Sequence, residues 1–140
     1  MNQFKIISGQ WSDLEKHAKL IRTAVFIQEQ NIDEADEWDV QDPISIHFIV
    51  YDQNQAIATA RLLQNNHIGR VAVLKSYRGR GIGLMLMQVI IQQAQLENRS
   101  ELELSAQSYA SSFYEKLGFY VIGSEYLDCG IAHVDMYRKL

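Results

Sequence analysis

Residues 69–106 read GRVAVLKSYRGRGIGLMLMQVIIQQAQLENRSELELSA, and no other stretch limits the possible folds as strongly. An apolar, β-rich segment at 69–74 enters a turn with glycines at 79, 81 and 83. The run from Ile82 to Ile91 that follows is apolar nearly all round, and polar residues return only at Gln92, Gln93 and Gln95. A helix of that composition must be covered on most sides. ELELSA at 101–106 then alternates as a strand. A strand reached through a crossover helix runs parallel to the one it left, so these residues predict a βαβ unit with the glycine turn at the mouth of its helix.

The remaining segments attach to that unit. FKII at 4–7 predicts a strand, and SDLE at 12–15 matches a capping box in which Ser12 caps the backbone and Glu15 reaches back. Leu14, Ala18, Ile21 and Val25 then form one apolar stripe on a helix to about Phe26. ISIHFIVYD at 44–52, AIATARLL at 56–63 and GRVAVL at 69–74 are separated by short polar turns and predict an antiparallel meander. A helix over 108–117 is expected from the shared face of Ala110, Phe113 and Leu117, with Gly118 as its left-handed cap. FYVIG at 119–123 and AHVDMYRK at 132–139 supply the last strands. The fold class is mixed α/β. One domain over 1–140 is expected, since no proline-, serine- or glycine-rich linker and no repeat interrupts the chain.

Charge and composition exclude several functions. A net charge of −4 argues against a general nucleic-acid surface. Neither a signal-peptide pattern nor an 18-residue apolar run is present, which predicts a cytoplasmic protein that does not enter a membrane. The lone Cys129 forms neither an intrachain disulfide nor a cysteine metal site, and its expected place is a core or a strand. No metal is expected. Seven carboxylates crowd around Trp38 between Glu29 and Asp42, which predicts a loop with one helical turn, either solvated or facing a substrate.

At the glycine turn, a helix N-terminus offers unpaired N–H groups and partial positive charge, and Arg78 and Arg80 add to it. That combination suits a polyphosphate; a purely structural turn is the alternative. A dinucleotide fingerprint started at Gly79 and Gly81 fails because its third glycine falls on Leu84, although Glu101 and Glu103 lie where a ribose-binding acid would. A triphosphate loop needs a Gly-Lys pair, and none occurs.

What remains is R-x-x-G-x-G from Arg78 to Gly83, and here the sequence resembles the GCN5-related N-acetyltransferase (GNAT) superfamily. AQSYASSFYEKLGF at 106–119 is similar to that superfamily's later motif through Tyr114, Gly118 and Phe119. VFIQEQNIDEADEWDVQD, IHFIVY, ATARLL and GIAHVDM resemble its small bacterial ElaA- and YjcF-like members. One departure is Gln107, where many members carry asparagine.

The resemblance implies a mostly antiparallel sheet of six to seven strands with about four helices, splayed between the 69–74 and 101–106 strands around acetyl-CoA. It implies that backbone groups of Val71, Ala72 and Val73 bind the pantetheine. Arg78, Gly79, Arg80, Gly81, Ile82 and Gly83 would hold the pyrophosphate, and Gln107 and Tyr114 would also contact the cofactor. A primary amine, on a small molecule or a peptide, would then attack the thioester directly, with Tyr114 as general acid. An unperturbed phenol keeps its proton at neutral pH. Glu29, Glu37, Asp39 and His47 are the candidates for holding the amine or taking its proton. His133 and Cys129 are not required, because direct attack uses no thiol nucleophile. A non-catalytic acyl-CoA-binding module is the alternative function, and a homodimer through an exposed last strand is compatible with the fold.

Overall fold

The computed structural model describes residues 3–140. Its centre is one mixed sheet of seven strands in the order β1-β2-β3-β4-β5-β7-β6. The strands are β1 (Phe4–Gly9), β2 (Ile46–Asp52), β3 (Gln55–Leu62), β4 (His67–Val73), β5 (Glu101–Gln107), β6 (Tyr120–Asp128) and β7 (Ile131–Lys139). The helices are α1 (Trp11–Arg22), α2 (Glu34–Glu37), α3 (Ile82–Leu96) and α4 (Ser111–Glu115). The expected meander is β2–β3–β4, and β4–α3–β5 is the expected βαβ unit with parallel strands. Among the described residues no helix is long and apolar enough to cross a membrane.

The two faces of the sheet are covered by different helices, α1 through one apolar stripe and α3 through a broader apolar surface. On the first face Leu14, Ala18, Ile21 and Val25 pack with Ile49, Tyr51, Ala56 and Ala72. On the second, Leu86, Met87 and Ile90 of α3 pack with Phe48, Ile57, Leu102, Leu104 and Met136. Each fully buried Leu or Ile contributes about 1.5–3 kcal/mol. The covering of α3 is broad, as expected, and its open edge is marked by Leu84, Gln88, Gln92 and Gln95.

Several local expectations are corrected. The capping box does not form: α1 begins at Trp11 behind an extended Gln10 that makes no side-chain cap, so Ser12 falls inside the first turn. The helix does not stop near Phe26 but widens into a π-helical turn, Thr23–Glu29, closed by the Gln30 N–H on the Val25 carbonyl. The expected helix at 108–117 divides into a 3₁₀ turn, Ser108–Ala110, and the short α4. Cys129 is neither core nor mid-strand; it is exposed in the turn between β6 and β7 at φ 51°.

Gly118 ends α4 in the expected left-handed conformation, with φ 92°. A Cβ there would also lie 2.8 Å from Nε of Arg138, whose Nη1 is already buried without a partner. Gly118→Ala is therefore expected to cost about 1–3 kcal/mol. Urea unfolding checks this, and an unchanged midpoint would show that both the backbone and Arg138 relax freely.

The feature that positions the site is an opening inside the sheet. β4 and β5 pair only at His67↔Glu103 and Ile68↔Leu104. Beyond that point β4 carries an extra residue against β3, since Thr59 faces Ala72 but Arg61 faces Gly69, and Arg70 adopts φ 52°. A bulge bends its strand, and here it turns the C-terminal half of β4 away from β5.

Candidate active site

The opening leaves backbone groups without a strand partner. Leu74 N–H bonds the Ile57 carbonyl, and antiparallel alternation then puts the Ala72 peptide on the β3 side and those of Val71 and Val73 on the open side. Two of the three expected backbone positions thus face the gap, and Ala72 is engaged by the ladder. The Val73 carbonyl accepts a 2.9 Å bond from Nε of Arg78.

The glycine turn closes one end of the opening. Gly79 and Gly81 have φ 80° and 77°, and a Cβ at either would meet nothing within 4 Å, so their conformation leaves open space beside the backbone. The first helical bond of α3 runs from Met85 N–H to the Gly81 carbonyl, 3.1 Å, which leaves the amides of Ile82, Gly83 and Leu84 free of helical acceptors. Arg80 lies 5.0 Å from the Tyr77 ring centroid, and Tyr77 donates a 2.7 Å hydrogen bond to Asp52. Gly83 lets Phe113 approach α3, its notional Cβ lying 3.5 Å from the Phe113 ring.

Tyr114 enters from the α3 face, among Leu104, Ala106 and Phe119. Its ring is edge-on to Phe113 and Phe119, its hydroxyl makes no hydrogen bond among the described residues, and burial, reinforced by Tyr109, pushes its phenol up to about 12. Gln107, at the far end of β5, exchanges two amide hydrogen bonds of 2.8 and 3.4 Å with Gln30 across the mouth of the opening. Beside it Ser108 Oγ is buried without a partner. Sequence reading did not single out Gln30 or Ser108, because neither type in a polar stretch carries a signal.

The acidic segment is placed differently from either reading of it. Arg22, only 1% exposed, holds Glu37 through Nε at 2.7 Å and Asp42 through Nη1 at 2.8 Å. Arg61 holds Asp39 at 2.7 Å and Asp42 at 2.9 Å, and Arg70 holds Glu37 at 3.0 Å. Trp38 and Trp11 lie 5.0 and 5.5 Å from the Arg22 guanidinium. Hydrogen bonds from Arg61 keep the Asp39 carboxyl at about 2. Burial opposes ionisation of Asp42, but Arg22 and Arg61 together outweigh it; at Glu37 burial wins and the carboxyl is raised. His47 is buried against the Asp42 carbonyl at 2.8 Å and lowered by that burial, so it stays neutral near pH 7.

Glu37 and Asp39 are therefore both held by the arginine network, Glu37 buried and Asp39 at its exposed edge, while His47 is buried against the Asp42 backbone beside it. Glu29, like Asp39, is exposed, and it grips Arg78 with two bonds of 2.6 and 2.7 Å. His133 bonds the Ile131 carbonyl beside the turn that holds Cys129. No group of three or more potential metal ligands occurs among the described residues.

A sheet split between parallel strands, with a glycine turn and free helix amides at its end, is the architecture of an acyltransferase. The chain belongs to the GNAT family: the family model for the acetyltransferase (GNAT) domain matches residues 14–140. The protein described as uncharacterized N-acetyltransferase YjcF of Bacillus subtilis is 35% identical over 88% of this chain and 91% of its own. The crystal structure of Escherichia coli ElaA superposes with a TM-score of 0.88 at 26% identity, covering 96% of this chain and 99% of that one. A candidate streptothricin acetyltransferase from Bacillus anthracis, solved with acetyl coenzyme A, matches with a TM-score of 0.63 at 26% identity, covering 78% and 73%.

Proposed function

We propose that the protein is a cytoplasmic, single-domain N-acetyltransferase that moves the acetyl group of acetyl-CoA to a primary amine by direct attack in a ternary complex. The observation that carries this reading is the opening between β4 and β5. It exposes the peptides of Val71 and Val73 and ends on the free amides of α3. Those features fit the donor: an extended amide-bearing arm pairs with a strand edge, and a pyrophosphate sits on a helix N-terminus. Acetyl-CoA supplies a thioester already activated toward amines.

The chain's own part is positioning and proton control. Gly79 and Gly81 let phosphate oxygens approach the backbone, and Arg80 beside Tyr77 adds positive charge at the same end. Ser108 Oγ and the Gln107 amide stand at the β5 side of the opening as hydrogen-bonding groups for the pantetheine arm. Tyr114, protonated at neutral pH, donates to the departing sulfur.

The direct test is thermal stabilisation by acetyl-CoA. Ligand at about a hundred times Kd stabilises the folded state by about 2.7 kcal/mol, a shift of several degrees. Gly81→Asp should abolish it, since aspartate is strained at φ 77° and puts a negative charge where phosphate would lie. A shift retained in that variant would make the turn structural. Stabilisation without thiol release from any amine would favour a sensing module over an enzyme.

A further inference from the structure

The acetyltransferase reading above leaves the amine without a group to take its proton, and a cluster on the face opposite Tyr114 has the chemistry for it. In β5 the even residues Leu102, Leu104 and Ala106 are buried on the α3 side, where Tyr114 packs, while the odd residues are half-buried and face the other way. Ser105 is the first residue of β5 beyond its last pair with β4, Ile68↔Leu104. It therefore stands where the sheet begins to part, on the side away from the acid.

Cross-strand register puts Asp135 of β7 directly beside Ser105. The third member comes from β6 through an irregularity. Ile122 faces Asp135 but Tyr126 faces His133, so β6 carries two extra residues, with Gly123 at φ 75°. The Tyr126 hydroxyl donates a 2.7 Å bond to Asp135 Oδ1 and also contacts Ser105 Oγ. With the phenol proton on Asp135, the Ser105 hydroxyl donates to the Tyr126 oxygen, and its own lone pairs are left for a further donor. The Tyr126 ring stacks on His133 at 6.1 Å, which fixes its direction. Asp135 and Tyr126 are exposed, so the cluster is open to a solute. Its titratable neighbours are His133 on β7, Glu103 and His67 in the still-paired part of the two parallel strands, and Asp128 at the end of β6.

We propose that Ser105, Tyr126 and Asp135 form the proton relay that deprotonates the acceptor amine. The ammonium N–H donates to Ser105 Oγ; as that proton moves, the Ser105 proton passes to the Tyr126 oxygen and the Tyr126 proton to the Asp135 carboxylate. The products are a neutral amine and a neutral Asp135 carboxyl, with no other reactant consumed. The base then works from one face of the sheet and Tyr114 from the other. That division suits addition of an amine to one side of a thioester and departure of sulfur from it.

The test compares two nucleophiles with acetyl-CoA at neutral pH: n-propylamine, which is protonated there, and hydroxylamine, which is not. Ser105→Ala, Tyr126→Phe and Asp135→Asn should each lower thiol release with n-propylamine by on the order of a hundredfold, with little loss for hydroxylamine. The double variant Ser105→Ala/Asp135→Asn should lose no more than either single one, because members of one relay act as a unit. The acetyl-CoA thermal shift should remain in all of them. Equal losses for the two nucleophiles, multiplied losses in the double variant, or loss of the thermal shift would overturn the relay. If the unmodified enzyme binds acetyl-CoA but releases thiol with neither nucleophile, the enzyme reading itself falls, and the relay with it.

Discussion

Tyr114→Phe is expected to lower kcat by about 10²–10⁴-fold while acetyl-CoA still binds. The ring is edge-on between Phe113 and Phe119, with centroids at 5.0 and 6.2 Å, and phenylalanine keeps both contacts, so stability should change by less than about 1.5 kcal/mol. Only the hydroxyl is lost, and it has no hydrogen-bond partner among the described residues from which the substitution would detach it. A phenol held at about 12 does not ionise during turnover. In the proposed reaction its contribution is a donated hydrogen bond that strengthens as charge collects on sulfur. The sign for pH follows: the acid form persists below about 12, so Tyr114 adds no alkaline limb to the kcat/KM profile of the unmodified enzyme at moderate pH. Thiol release with and without the hydroxyl, measured beside the thermal shift, decides it. A variant that keeps most of its turnover would return Tyr114 to a packing role.

Periodicity and glycine spacing make the scaffold legible in the sequence. The stripe from Leu14 to Val25, the apolar α3 and the left-handed Gly118 are local patterns, and local patterns survive into the fold when each agrees with the whole. The capping box misled because Gln10 is the extended cap residue and the helix starts two residues early, a difference the sequence does not encode strongly. The acidic segment misled for another reason. Seven carboxylates between Glu29 and Asp42 look solvated or ligand-facing, yet the partners Arg22, Arg61 and Arg70 lie 15, 22 and 33 residues from Glu37, Asp39 and Glu37 respectively. Pairing at that separation is set by sheet topology, which carries no signature in the charge string. The cluster of Ser105, Tyr126 and Asp135 was illegible likewise, since it needs the β6–β7 register and its two-residue irregularity to exist.

The arginine network predicts the largest effect on stability. Arg22→Met preserves the side chain's stem between Trp11 and Trp38 but removes the charge that faces Glu37 and Asp42, both about 2% exposed. Removing one partner from a buried ion cluster strands the other charges in a poorly solvating interior, at a cost of about 3–5 kcal/mol, or on the order of 10 °C in Tm for a chain this size. Asp42 keeps Arg61, and Glu37 keeps the partly exposed Arg70, but Glu37 loses the hydrogen bond and charge of its fully buried partner. Glu37 is then the more exposed to loss, since burial already raises its carboxyl even with Arg22 in place. A group whose folded pKa is raised contributes stability below its unfolded pKa and loses it as pH rises through the folded value. The deficit of Arg22→Met should therefore be largest near neutrality and shrink toward the acid side as Glu37 takes up a proton. Adding Glu37→Gln should recover part of it at neutral pH, because the stranded charge goes while the shape stays. Urea unfolding of the single and double variants at two pH values measures both effects. A cost that does not vary with pH, and no recovery in the double variant, would mean that Arg22 stabilises the acidic segment through its tryptophan packing and not through its charge.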